Sequence, residues 1–126
     1  MTKITKCLND WNATIEALSN KEQTILLRKT STTQKEFLLY PTVSYAKKDN
    51  VLDLFKGKYQ DFVKNNLLPN EEDGKYEVNY YARVEDSFKT PVSRIGKYNN
   101  YLIWTKKHVS SYFNSNQANL WLLRVY

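Results

Sequence analysis

The strongest constraint on the fold is the stretch from Gln23 to Tyr45, QTILLRKTSTTQKEFLLYPTVSY. Two apolar runs, Thr24–Leu27 and Phe37–Tyr40, consist of residues suited to a pleated, mostly buried strand. The polar run between them, Thr30–Glu36, has no apolar side chain and forms the connection. The first run ends in Arg28-Lys29, the second in Tyr40-Pro41-Thr42. Buried strands that carry cations and an aromatic to their ends make a scaffold for a binding surface.

The chain has 126 residues, enough to bury one core, and it reads as a single domain over 1–126. A hydrophobic content of 41% and an aromatic content of 14% mark a folded protein. Ten tyrosines outnumber five phenylalanines and three tryptophans, so many rings can line a groove with the hydroxyl in water. No apolar run approaches the roughly 18 residues of a membrane span. The start, MTKITKCLND, lacks the apolar segment of a secretory signal. Cys7 is the only cysteine and has no internal disulfide partner. These features predict a cytoplasmic protein with no membrane contact. The net charge of +6 is uneven: residues 1–30 carry five cations and three anions, 31–75 seven of each, and 76–126 seven and three. That balance suits an anionic partner such as nucleic acid.

Leu8, Trp11, Ile15 and Leu18 recur at helical spacing and predict a helix over about Thr5 to Ser19, with Trp11 as a core anchor. A second helix is predicted over Val51–Leu67, capped by Asp49 or Asn50 and weakened by Gly57. Pro69–Gly74 reads as a solvated turn, because adjacent acids lack the interleaved ligands of a calcium loop. Tyr76–Phe88 alternates: Tyr76, Val78, Tyr80, Ala82 and Val84 fall on a core face, with Tyr81 and Arg83 on the other. Thr105 is placed to cap a helix through TKKHVSSYFNSN. Ala118–Tyr126, apolar nearly throughout, reads as a central strand whose Arg124 must reach an edge, a carboxylate or a ligand. The predicted architecture is α+β: a small curved, mostly antiparallel sheet or PUA-like barrel with three or four peripheral helices.

No catalytic signature is present: GxSxG, P-loop, GxGxxG, HExxH and CxxC are all missing. His108, the only histidine, has no second ligand for a metal and is not read as a catalytic base. Asp53, Asp61 with Lys64, and Glu85-Asp86 lack the grouping of a metal-dependent nuclease. No cofactor, metal or catalytic residue is therefore predicted, and a nuclease is the weakest of the functions considered.

The stretches DWNATIEAL, TILLRK, EFLLYPT, IWT and LLRVY, in this order and spacing, resemble the family known as domain of unknown function 1802. The resemblance runs from about Lys6 to Tyr126. Some members of that family are joined to an Mrr-type restriction endonuclease domain, which implies a role in restriction or related DNA defence. This chain departs from the family where paired glycines and a histidine are usual, having TSTTQKE there, and Val43–Ala46 has no histidine. The order of elements is also similar to PUA-like folds (the ASCH and EVE domains), which read RNA or modified bases.

The resulting expectation is a non-catalytic nucleic-acid-binding module, with DNA as ligand, that reads a modified base alongside a separate nuclease or other defence protein. Arg28, Lys29, Arg83 and Arg124 would contact phosphate or base, Tyr40, Tyr81 and Trp104 would offer stacking surface, and Thr42 would lie beside them. The alternative is a protein-interaction module of a phage or defence system.

Overall fold

The computed structural model describes residues 6–113 and 117–126. Its elements run β1 (Cys7–Trp11), α1 (Asn12–Ser19), β2 (Ile25–Arg28), β3 (Glu36–Thr42), α2 (Gln60–Asn65), β4 (Glu71–Glu72), β5 (Lys75–Tyr76), β6 (Tyr81–Pro91), α3 (Lys106–Tyr112) and β7 (Gln117–Val125). Short 3₁₀ turns precede α2, and a longer 3₁₀ stretch, Val92–Tyr101, follows β6. One five-stranded sheet has the order β1-β3-β6-β7-β2, and β4-β5 is a separate ladder. Within the large sheet β1 and β3 are parallel, and the other pairs are antiparallel. This is the α+β fold with a curved, mostly antiparallel sheet that the sequence predicts.

The sheet divides two apolar clusters. On β7, Ala118 and Leu120 belong to one cluster, while Trp121, Leu123 and Val125 belong to the other. On β2, Ile25 and Leu27 face the first cluster and Leu26 the second. Helix α1 serves both, with Ala13 and Ala17 on one side and Ile15 and Leu18 on the other. Ala118–Trp121 is covered on both faces and needs a continuous apolar run, while beyond it exposed Leu122 and Arg124 alternate with buried Leu123 and Val125. Each fully buried leucine or valine contributes about 1.5–3 kcal/mol, so this strand anchors the fold.

Four expectations need correction. The predicted helix Thr5–Ser19 is helical only from Asn12; Thr5 lies outside the described residues. Cys7–Trp11 instead pairs with Leu38–Thr42 as a parallel edge strand. The spacing of Leu8 and Trp11 suits a helix, but Asn9 and Asp10 are poor helix formers, and the open edge of β3 offers ladder hydrogen bonds. The predicted helix Val51–Leu67 breaks at Phe55, which bridges to Trp104. There the Lys56 N–H donates to the Ile103 carbonyl at 2.9 Å and the Thr105 N–H to the Leu54 carbonyl at 2.9 Å. These tertiary bonds outcompete helix propagation through Gly57. The alternating strand begins at Tyr81 rather than Tyr76, and a bulge between Val84 and Asp86 shifts its phase. Pro69–Gly74 is not wholly loop: Glu71-Glu72 pairs with Lys75-Tyr76 across Asp73-Gly74. Both turn residues have positive φ, 53° and 77°, as a tight hairpin turn requires.

The two strands of Gln23–Tyr45 lie apart, with β6 and β7 between them. Thr105 caps α3 as expected, its hydroxyl accepting from the His108 N–H at 3.1 Å.

Candidate functional site

β1 and β2 are the two edges of the sheet and share no ladder. Curvature nevertheless brings their ends together. Arg28 Nη1 donates to Asp10 Oδ2 at 3.2 Å and to the Asn9 carbonyl at 3.5 Å, closing the seam. Beside this contact lies a cavity of about 230 Å³. Its walls include Asp10, Trp11, Arg28, Thr42, Trp104 and Tyr112.

Asp10 is the buried acid of the cavity, with a side chain 9% exposed. Burial pushes its carboxyl up to about 6, against the Arg28 guanidinium and the Trp11 N–H, which both favour the anion. The Trp11 N–H donates to Asp10 Oδ1 at 2.7 Å. At neutral pH Asp10 is a carboxylate and accepts hydrogen bonds only.

The aromatic wall is rigid and uncharged. Trp11 lies nearly parallel to Tyr45, with centroids 4.7 Å apart, and to His108 at 5.6 Å. Trp104 meets His108 edge-on at 4.3 Å and Tyr112 at 5.2 Å. Tyr45 is locked from behind: its hydroxyl accepts from the Ala13 N–H at 3.0 Å and donates to the Leu67 carbonyl at 2.7 Å. Burial pushes this phenol up to about 12. Burial, with Lys48 nearby, pushes His108 down to about 4, so its imidazole is neutral. Among the described residues, Trp104 Nε1 and His108 Nε2 have no hydrogen-bond partner.

Cations crowd this end of the sheet. Lys29 Nζ stands 4.8 Å from the centre of the Tyr112 ring, and Lys48 Nζ 5.5 Å from that of Trp11. The Arg28 guanidinium also lies 5.7 Å from the Trp121 ring centre. Arg28 thus lines the cavity with its one carboxylate, while Lys29 and Lys48 stand over the rings of two of its wall residues.

The structure divides the sequence-predicted residues into two groups. Arg28, Thr42 and Trp104 line the cavity, with Lys29 over the Tyr112 ring. Tyr40, Tyr81, Arg83 and Arg124 lie on the open face of the sheet. There Arg83 is opposite both Glu36 and Arg124. Arg83 Nη2 pairs with Glu36 at 3.1 Å, and Arg124 Nε with Glu85 at 3.5 Å, so each arginine has its own acid. Tyr81 stacks on Tyr126, with centroids 4.8 Å apart. Tyr40 is 38% exposed and sits beside Asn9, a cavity residue; two residues on, Thr42 reaches the cavity itself. The open face therefore leads into the cavity.

Sequence reasoning did not assign Asp10, Trp11 or Tyr112 to a site. The signal available was the DWNATIEAL stretch, whose Asp-Trp pair was absorbed into a helix. A second cavity, of about 320 Å³, lies beside α1, lined by Asn12, Glu16, Asn66, Glu77 and Tyr80. It has carboxylates and no cation on its walls, which makes it the weaker candidate for an anionic ligand. Among the described residues no group of carboxylates, histidines or cysteines is placed to hold a metal ion.

The family model described as Domain of unknown function (DUF1802) matches residues 7–126. The fold is similar to the crystal structure of ASCH from Zymomonas mobilis, with a TM-score of 0.61 and 14% identity, covering 94% of this chain and 65% of that one. A mutant of the same protein gives a TM-score of 0.61 and 13% identity, covering 94% and 67%. The chain thus spans about two thirds of the length of these ASCH structures. At that identity the likeness establishes the fold, an ASCH-type, PUA-like one. Among curated proteins, none matches the chain. No helix among the described residues is long and apolar enough to cross a membrane.

Proposed function

This chain belongs to the DUF1802 family, and we propose that it is a non-catalytic nucleic-acid-binding module, a single domain that works in the cytoplasm. The observation that carries this reading is the seam cavity. It combines an aromatic wall, a buried carboxylate and Arg28, with Lys29 and Lys48 over the rings of two wall residues. Cations fit a phosphate backbone, and a small cavity walled by rings fits one base taken out of a stack. At about 230 Å³ it falls below the roughly 300–1,000 Å³ of an ordinary small-molecule pocket. The open face, with Tyr40 and Tyr81, is the path along which the strand approaches. The ligand is DNA, and the family resemblance supports reading of a modified base in partnership with a separate nuclease of a restriction or defence system.

The test is a gel shift with single- and double-stranded oligonucleotides over a range of salt. Binding should weaken linearly as the logarithm of salt rises, and should fall sharply in a protein carrying Arg28→Ala and Lys29→Ala. Binding without salt dependence, or undiminished in that variant, would sink the reading. One observation favours a protein partner instead. The open face exposes Tyr40, Leu122 and Tyr126 beside charge-balanced arginines. A stoichiometric protein partner recovered free of nucleic acid would support that alternative.

A further inference from the structure

The polar groups inside the cavity are few, and their chemistry is specific. Asp10 Oδ2 and Arg28 Nη1 lie 3.2 Å apart, so an acceptor and a donor stand side by side at the wall. Each Asp10 oxygen already accepts one hydrogen bond, from Trp11 N–H or from Arg28, and each carboxylate oxygen has capacity for another. Arg28 is only partly covered, with 26% of its side chain exposed, and has further N–H groups to offer.

A ligand that satisfies this wall must present a donor next to an acceptor. On a pyrimidine only the Watson–Crick edge does so: thymine and uracil offer N3–H beside a carbonyl, and cytosine an amino group beside N3. The opposite, C5 side of the ring carries no such pair. Resting on the nucleic-acid reading above, we propose that the seam cavity, of only about 230 Å³, holds one unpaired pyrimidine, the smaller class of base, by its Watson–Crick edge, which donates to Asp10 and accepts from Arg28. The C5 side then faces away from the Asp10–Arg28 pair. A base held this way cannot be paired, so the ligand is a single strand or an extruded nucleotide. Lys29 and Lys48, over the rings of two wall residues, are left for the flanking phosphates.

The ligand can be altered instead of the protein, which keeps folding out of the test. Short single strands of abasic spacers would carry one central thymine, one central N3-methylthymine, or no base. Fluorescence polarisation would compare them with an ordinary oligothymidine at neutral pH. A good bidentate contact predicts that the thymine strand binds about ten-fold or more tighter than the baseless strand. N3-methylation removes the donor and sets a methyl group against the carboxylate, so it should return affinity to the baseless level. Equal binding of the thymine and N3-methylthymine strands overturns the inference while ordinary binding leaves the function standing. Failure of the oligothymidine to bind while a mixed-sequence oligonucleotide binds overturns the inference alone, and failure of every oligonucleotide overturns both. An Asp10→Asn protein that folds and keeps the full N3-methyl discrimination would also overturn the assignment to Asp10.

Discussion

The two ends of the sheet handle charge in opposite ways. On the open face each arginine has its own acid, Arg83 with Glu36 and Arg124 with Glu85, all of them solvated to some degree. At the seam a single buried carboxylate faces Arg28, while Lys29 and Lys48 lie over aromatic rings rather than acids. Surface ion pairs in water contribute little to stability, and charges paired one to one project little field. The cations of the seam are therefore less fully paired with acids than the arginines of the open face, in a region where burial makes each polar contact count. The lesson is that the number of arginines on a face is a poor guide to where an anion binds; how their charges are already spent matters more.

The largest difference between the two regions should appear on truncating a side chain. Trp11 packs against Tyr45, Phe55, Trp104 and His108, so Trp11→Ala should lower the unfolding free energy by about 3–5 kcal/mol in urea denaturation. Leu122 on the open face is 39% exposed, and Leu122→Ala should stay within about 0.5 kcal/mol. Equal costs would show that the seam is no more tightly built than the open face.

The next effect is in pH. Asp10 is raised from 3.8 to about 6, so its share of stability is present below 3.8 and lost as pH rises through about 6. His108 is lowered from 6.5 to about 4, so its share is present above 6.5 and lost as pH falls through about 4. The two slopes oppose each other between about 4 and 6, and the wild-type stability should be nearly flat there. In His108→Phe the Asp10 term stands alone, and stability should rise by roughly 3 kcal/mol on acidification across that window. A variant as flat as the wild type would remove the buried carboxylate from the account.

Much of the scaffold was legible because it follows from burial. The continuous apolar run at Ala118–Tyr126 announced an interior strand, and Thr105 announced a cap. The seam was not legible, because Asp10 and Arg28 belong to opposite edges of the sheet and meet only through curvature. No local pattern encodes that meeting. Helical spacing at Leu8, Trp11, Ile15 and Leu18 also misled, since a strand followed by a helix can place the same residues in two different clusters. Lys48 was not assigned to a site for a related reason, and Tyr112 was read only as the buried side of a helix: each matters through the ring or cation it meets, from an element distant in the chain.

If the seam holds the unspent charge, removing its lysines should affect oligonucleotide binding more than removing the open-face arginines. Lys29→Ala with Lys48→Ala should reduce the slope of log affinity against log salt by about 1.5, the share of two phosphate contacts on a single strand. Arg83→Ala with Arg124→Ala should change it less, because each arginine already neutralises an acid. Equal changes would mean that the strand reads both regions alike.

The smallest effect is the most diagnostic, because it adds binding instead of removing it. Glu36 accepts from Arg83 Nε at 3.3 Å and from Nη2 at 3.1 Å, which occupies the guanidinium. Glu36→Gln removes the charge but keeps the shape, and leaves Arg83 free to attract phosphate beside Tyr81. Affinity for a single strand long enough to cross the open face should rise by about two-fold, the scale of one exposed charge pair. A strand confined to the seam should bind as before. A gain on the long strand alone places the open face on the path of the nucleic acid, while no gain on either confines binding to the seam.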